Sequence, residues 1–180
     1  MKTIRFIVII WVGHTVLWLL LAKLGLAVEP KAEPRQLTQA DKRVVHLYFA
    51  YREIAFLASE ERVLVHSDDP VEFGKSIIDA LIKGPKGDLM RTIPAAAGLR
   101  AFFVTSDGTA FVDLTQNVAD KHPGGSRSEI LTIYSIVNSL ILNIPEVKTV
   151  RILIGGHETM TLAGHVDIRF PFKANMLLIR

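Results

Sequence analysis

The chain has 180 residues, enough for one domain with additions, and its 49% apolar share can supply a core. It contains no cysteine, which excludes disulfides, thiolate metal sites, a cysteine nucleophile and lipid attachment through an N-terminal cysteine. The formal charge of +3 traces to Lys2, Arg5 and Lys23, which precede the first acid, Glu29; removing these three from 21 basic residues leaves 18 against 18 acidic ones, so no basic footprint for nucleic acid remains.

Phe6 to Ala22, FIVIIWVGHTVLWLLLA, is an apolar run, and continuing it to Val28 reaches the length needed to span a hydrocarbon core. Lys23 can snorkel from the helix end. The rival reading is a cleaved signal peptide, with Lys2 and Arg5 as its charged start and Gly25-Leu26-Ala27 as a weak cleavage site. The run is long for that purpose, so residues 1–28 are read as an uncleaved anchor. His14 inside the run reads as a helix-packing contact. Basic residues on both flanks leave the orientation open on charge alone. Residues 29–42, with Pro30, Pro34 and mixed charge, read as a linker. The globular domain is assigned to residues 43–180.

VVHLYFAY at Val44 to Tyr51 reads as a strand, and Ile54 to Val65 as a second extended stretch broken by Glu60-Glu61-Arg62. Asp69 is a helix N-cap candidate, with Pro70 in the first turn and Glu72 at capping-box spacing. Val71, Ile77, Ile78, Leu81 and Ile82 give the apolar stripe, and Gly84-Pro85 ends it. Leu89 to Ala97 reads as a loop. Ala101 to Asn117 reads as a hairpin turning at Asp107-Gly108, with a type I′ turn. A second helix opens at Ser126, with Glu129 again at capping-box spacing, and Pro145 closes it. Ile130, Ile133, Tyr134, Val137, Leu140, Ile141 and Ile144 line one face, widened by Leu131, Ile136 and Leu142. Val147 to Ile154 is a strand, followed by a Gly155-Gly156 turn, a tail from His165 to Phe172 and a last apolar run, MLLI. The order implies an α/β (α+β) fold: one compact sandwich of two helices on a small mixed sheet.

Asp113 and Asp167 sit in similar settings, VDL and VDI. With His165 they could form a paired-carboxylate site for acid–base chemistry; alternatively each accepts backbone N–H groups at a turn, the reading adopted here. His157, Glu158, His165 and Asp167, with His122, raise the idea of a metal site, but their spacing fits no known ligand pattern. Gly124-Gly125 ahead of Ser126 and Arg127 could hold an anion, though capping suffices. Phe102 and Phe103 place one ring on each face of their strand, and this pair is the candidate interaction surface.

Taken in order, VVHLYFA, ALIKGP, TIP at Thr92 to Pro94, DGTAFVDLTQN, the segment from Gly124 to Gly156 and AGHVDIRFPF resemble the GerMN domain family of sporulation and germination proteins. The likeness spans Val44 to Phe172. It implies a compact module comparable to ring-building domains, present in one copy behind the anchor and lying outside the cytoplasm. Here the anchor must be the helix, because the lipidation cysteine that is common in the family is missing. The expectation is a non-catalytic, single-pass, membrane-anchored domain of the bacterial cell envelope. It would bind envelope proteins or itself as a homo-oligomer, without cofactor and without nucleic acid. The alternatives are a cell-wall glycan binder or an envelope hydrolase using Asp113, His165 and Asp167.

Overall fold

The computed structural model describes residues 42–51 and 56–180, all of them in the second of the chain's two units, Leu37–Arg180. The apolar run of residues 6–22 with His14, the linker up to residue 41 and Ile54 lie outside the described residues. Among the described residues, no helix is long and apolar enough to cross a membrane.

Alternation builds the first hairpin. In β1 (Lys42–Ala50), Val45, Leu47 and Phe49 are buried while Val44 and His46 face outward. β2 (Leu57–Val65) pairs with it antiparallel, from Lys42 opposite Val65 to Ala50 opposite Leu57. The expected break at Glu60-Glu61-Arg62 does not occur, because Glu61 faces outward and the two inward charges have partners. Arg62 pairs with Glu60 and donates to the Gly84 carbonyl at 2.9 Å. Glu60 accepts the amides of Lys86 and Gly87 at 3.0 and 2.8 Å. A charged pair that satisfies the end of the next helix can sit in a strand without an unpaired buried charge.

That helix, α1, spans Pro70–Lys83. Asp69 caps it by accepting the Val71 amide at 2.9 Å. The capping box does not close: the Asp69 amide donates to the Ser67 hydroxyl oxygen at 3.2 Å, and Glu72 turns to Lys75 at 2.7 Å. Ile77, Ile78 and Leu81 have no exposure, which is worth about 1.5–3 kcal/mol for each side chain. At the far end Arg91 donates to the carbonyls of Ile82 and Lys83, supplying partners the helix lacks.

β3 (Leu99–Val104) and β4 (Thr109–Leu114) form the predicted hairpin. Its turn is not type I′, which needs positive φ at two residues; only Gly108, at φ +90°, has it. The Thr105 amide reaches the Thr109 carbonyl at 3.0 Å and the Gly108 amide the Thr105 carbonyl at 2.9 Å, leaving a three-residue loop that ends on a left-handed glycine. Gly108 also lies against the Glu146 carbonyl, 2.7 Å from where a Cβ would stand, and its own carbonyl accepts the Lys148 amide at 2.8 Å. This contact pins the hairpin tip to the segment from Glu146 to Lys148.

A short helix, α2 (Asn117–Asp120), and the long α3 (Ser126–Ile141) carry the chain across to β5 (Thr149–Ile154), which runs parallel to β4. Val150, Ile152 and Ile154 face the core. The strands form two sheets, β1-β2 and β3-β4-β5, where a single mixed sheet was expected. The tail also does more than trail: Leu162 and Ile168 are 1% exposed within the core, and Phe172 bonds Val150 in both directions. The final 3-10 turn, Met176–Leu178, leaves Leu177 exposed, while the Arg180 amide bonds the Leu57 carbonyl at 2.9 Å.

Candidate functional site

Helix α3 buries a polar stripe as well as its apolar one. Glu129, Thr132, Ser135, Ser139 and, just past its end, Asn143 recur at helical spacing, and all are buried. The apolar periodicity drew attention to the other face. The usable signal was a second row of short polar side chains at intervals of three and four residues, on a helix whose remaining face is also apolar.

The carboxy-terminal half of the stripe closes the edge of β1. Asn143 accepts the His46 amide at 3.0 Å and donates to the His46 carbonyl at 2.8 Å. Ser139 accepts the Tyr48 amide at 3.0 Å, and Ser135 donates to the Tyr48 carbonyl at 2.6 Å. Met90 completes the row on Ala50. These side chains occupy the positions another strand would take, which is why the sheet divides here.

The amino-terminal half holds loops. Glu129 is not a capping residue: α3 starts after Gly125 with no side-chain cap, and the Glu129 carboxylate points inward with no exposure. It accepts the amides of Ala163 and His165 at 3.2 Å, that of Val166 at 2.9 Å, and the His165 Nδ1 hydrogen at 2.8 Å. Burial pushes this carboxyl up, but the combined donors from Val166, His165 and Ala163 outweigh it and hold it below the ordinary glutamate value. An ionised Glu129 requires a hydrogen on His165 Nδ1, so the 3.3 Å approach of the Gly125 amide to that nitrogen is not a second hydrogen bond. His122 takes the opposite tautomer: Nδ1 accepts the Gly124 amide at 3.0 Å and Nε2 faces the Thr132 hydroxyl at 2.9 Å. Burial lowers the His122 pKa, and the Glu129 charge opposes this more weakly.

The residues singled out from the sequence have separate partners. Asp113, 5% exposed, meets Arg100 Nε at 3.1 Å and accepts the Gly156 amide at 2.8 Å, tying β4 to the Gly155-Gly156 turn. Asp167 is exposed and accepts from its near neighbour Arg169, at 2.7 Å from Nη2 and 2.9 Å from the amide. The Arg169 guanidinium holds its carboxyl down at about 2. His165 belongs to Glu129. Glu158 pairs with Arg151 at 2.8 Å. Among the described residues, no three His, Cys, Asp or Glu side chains are grouped to hold a metal ion. Of the aromatic pair, Phe102 is buried at 4%, its ring fitted against Gly74, where a Cβ would stand 2.3 Å away. It is therefore not surface, a correction that follows from α1 packing on that face. Phe103 is 43% exposed and stacks on Phe111 with ring centroids 4.6 Å apart.

The family description "Sporulation and spore germination", Germane, matches residues 46–159, more than half of the chain. The chain belongs to the Germane family. Three solved structures resemble it. A Clostridium perfringens protein described as a candidate lipoprotein shares 25% identity with a TM-score of 0.54, over 75% of this chain and 89% of that one. The first GerMN domain of the sporulation protein GerM from Bacillus subtilis has a TM-score of 0.58 at 16% identity, over 75% and 98%. The tandem GerMN domains of the same protein give 0.57 at 16%, over 84% of this chain and 51% of theirs. The likeness to GerM shows a shared fold, a small mixed α/β domain. No curated protein sequence matches this Germane chain.

Proposed function

We propose that this Germane domain is a non-catalytic interaction module of the bacterial cell envelope. It would be held at the cytoplasmic membrane by residues 1–28 as a single-pass anchor, with the domain on the outer side and engaging envelope proteins or a second copy. The observation that carries the reading is the use of polar chemistry inside the fold. Glu129, Asp113, His122, Thr132 and Asn143 each close a backbone edge, turn or loop of the domain itself. Surface apolar residues, Phe103 among them, are left for a partner. The ring-building resemblance supports assembly as the mode of action.

The absence of cysteine gives a clean test. Asp88→Cys and Lys173→Cys place single thiols at exposed positions. Both are expected to react with a membrane-impermeant maleimide in intact cells. Labelling only after permeabilisation would reverse the orientation. A photo-crosslinking residue at Phe103 is expected to capture an envelope protein or a second copy. If no adduct forms there or at other exposed positions of the domain, the interaction reading fails.

A further inference from the structure

A groove of about 670 Å³ opens where the amino end of α3 meets the segment from Met90 to Pro94. Its apolar walls come from Tyr51, Met90 and Leu131, with Tyr51 50% and Met90 49% exposed. Arg91, Lys121 and Arg127 also line it, and no aspartate or glutamate does so among the described residues. Arg91 spends its donors on neutral carbonyls of α1 and has no ion-pair partner among the described residues. Lys121 and Arg127 form no ion pair among the described residues.

The walls are held rigidly. Met90 is bonded to Ala50 in both directions, at 3.1 and 2.8 Å. The Thr92 carbonyl accepts from Thr132 at 2.6 Å, and the Thr92 hydroxyl donates to Ser135 at 2.7 Å. Gly124, on the opposite rim, is fixed by His122. A groove already in its final shape loses little entropy when it is filled.

We propose that this groove binds an acidic, partly apolar peptide segment of a partner protein, presenting carboxylates beside a hydrophobic side chain. The inference rests on the interaction reading above and names the surface it uses. Charge complementarity selects the occupant: cations with no acidic partner among the described residues, set beside apolar walls, match alternating acidic and apolar residues, with the Arg127 fork able to hold a carboxylate bidentately. An anionic envelope polymer, such as a glycerol phosphate chain, would use the cations but leave the apolar walls of Tyr51, Met90 and Leu131 uncovered.

The test uses the full chain in mild detergent and a peptide array in which acidic and apolar positions vary independently. Peptides alternating acidic with aromatic or aliphatic residues should be enriched. Their binding, followed by fluorescence anisotropy, should weaken about tenfold or more in Lys121→Glu/Arg127→Glu and with the acids replaced by amides, the scale of losing one charge-assisted hydrogen bond. Met90→Asp should weaken it similarly, and Lys173→Glu, a charge reversal at an exposed position outside the groove, should leave it unchanged. Equal binding by the amide peptides, indifference to the charge reversals, or binding of poly(glycerol phosphate) without peptide binding would each overturn the proposal. So would an array with no enrichment. If Phe103 or another exposed position crosslinks a partner in cells while the array is blank, the groove assignment fails and the interaction reading stands; if no position crosslinks and the array is blank, both fail.

Discussion

Glu129 has no exposure, and its carboxylate is the shared acceptor for the amides of Ala163, His165 and Val166. Removing it strands three partly buried amide donors, each costing up to about 1–3 kcal/mol. Glu129→Ala is therefore expected to lose about 3–5 kcal/mol in urea unfolding, the range for breaking a buried charged cluster. Glu129→Gln keeps one acceptor oxygen and should fall between; a loss under about 0.5 kcal/mol for the alanine variant would refute the role. The two aspartates are expected to separate in the same assay. Asp113→Ala removes a nearly buried acceptor from the Gly156 amide and from Arg100, and should cost about 1–3 kcal/mol. Asp167→Ala breaks an exposed, solvent-screened pair within one loop and should cost clearly less than Asp113→Ala. Equal losses would contradict this assignment.

At the scale of elements, α3 substitutes for a strand. Asn143 bonds both backbone groups of His46, and Ser135 and Ser139 serve Tyr48 in the same way. Asn143→Ala should expose the β1 edge, with a cost of about 1–3 kcal/mol and faster hydrogen exchange at the His46 amide. Unchanged protection of that amide would show that the edge is held by something else. Features written locally were legible in the sequence: Asp69-Pro70 starting α1, Gly108 at the hairpin, and the alternation of Val150, Ile152 and Ile154. Features set by distant partners were not. Ser126 and Glu129 have the spacing of a capping box, but the loop at Ala163–Val166, more than thirty residues onward, turns Glu129 inward. Alternation indicated that one of Phe102 and Phe103 is buried; Gly74, on another element, determines that it is Phe102. Nothing in the strand pattern of β1 announces that helix side chains will close its edge and divide the sheet.

At the scale of the molecule, the same fasteners set how stability depends on pH. His122 is neutral in the fold because burial depresses its pKa below the ordinary 6.5. As pH falls through 6.5 the unfolded chain takes up a proton that the folded chain refuses, so its contribution is full above that value and declines below it. Glu129 has the same sign at lower pH. Its folded pKa lies below 4.5, so its contribution is full above 4.5 and is lost as pH falls further. Glu60, lowered by the Gly87 and Lys86 amides and by Arg62 against the upward push of burial, adds to that second loss. Tyr48 closes the alkaline side: burial raises its pKa above 10.0, so the unfolded chain releases its proton first and stability declines above pH 10. Unfolding free energy should thus be level between about pH 7 and pH 10, fall in a first step below 6.5 and in a steeper one below 4.5. His122→Gln keeps a polar group beside Thr132 but cannot titrate, so it should abolish the first step and leave the second. A variant that retains the first step would place the titrating group elsewhere, and a wild-type profile flat from pH 7 to 5 would show that the buried imidazole does not oppose protonation.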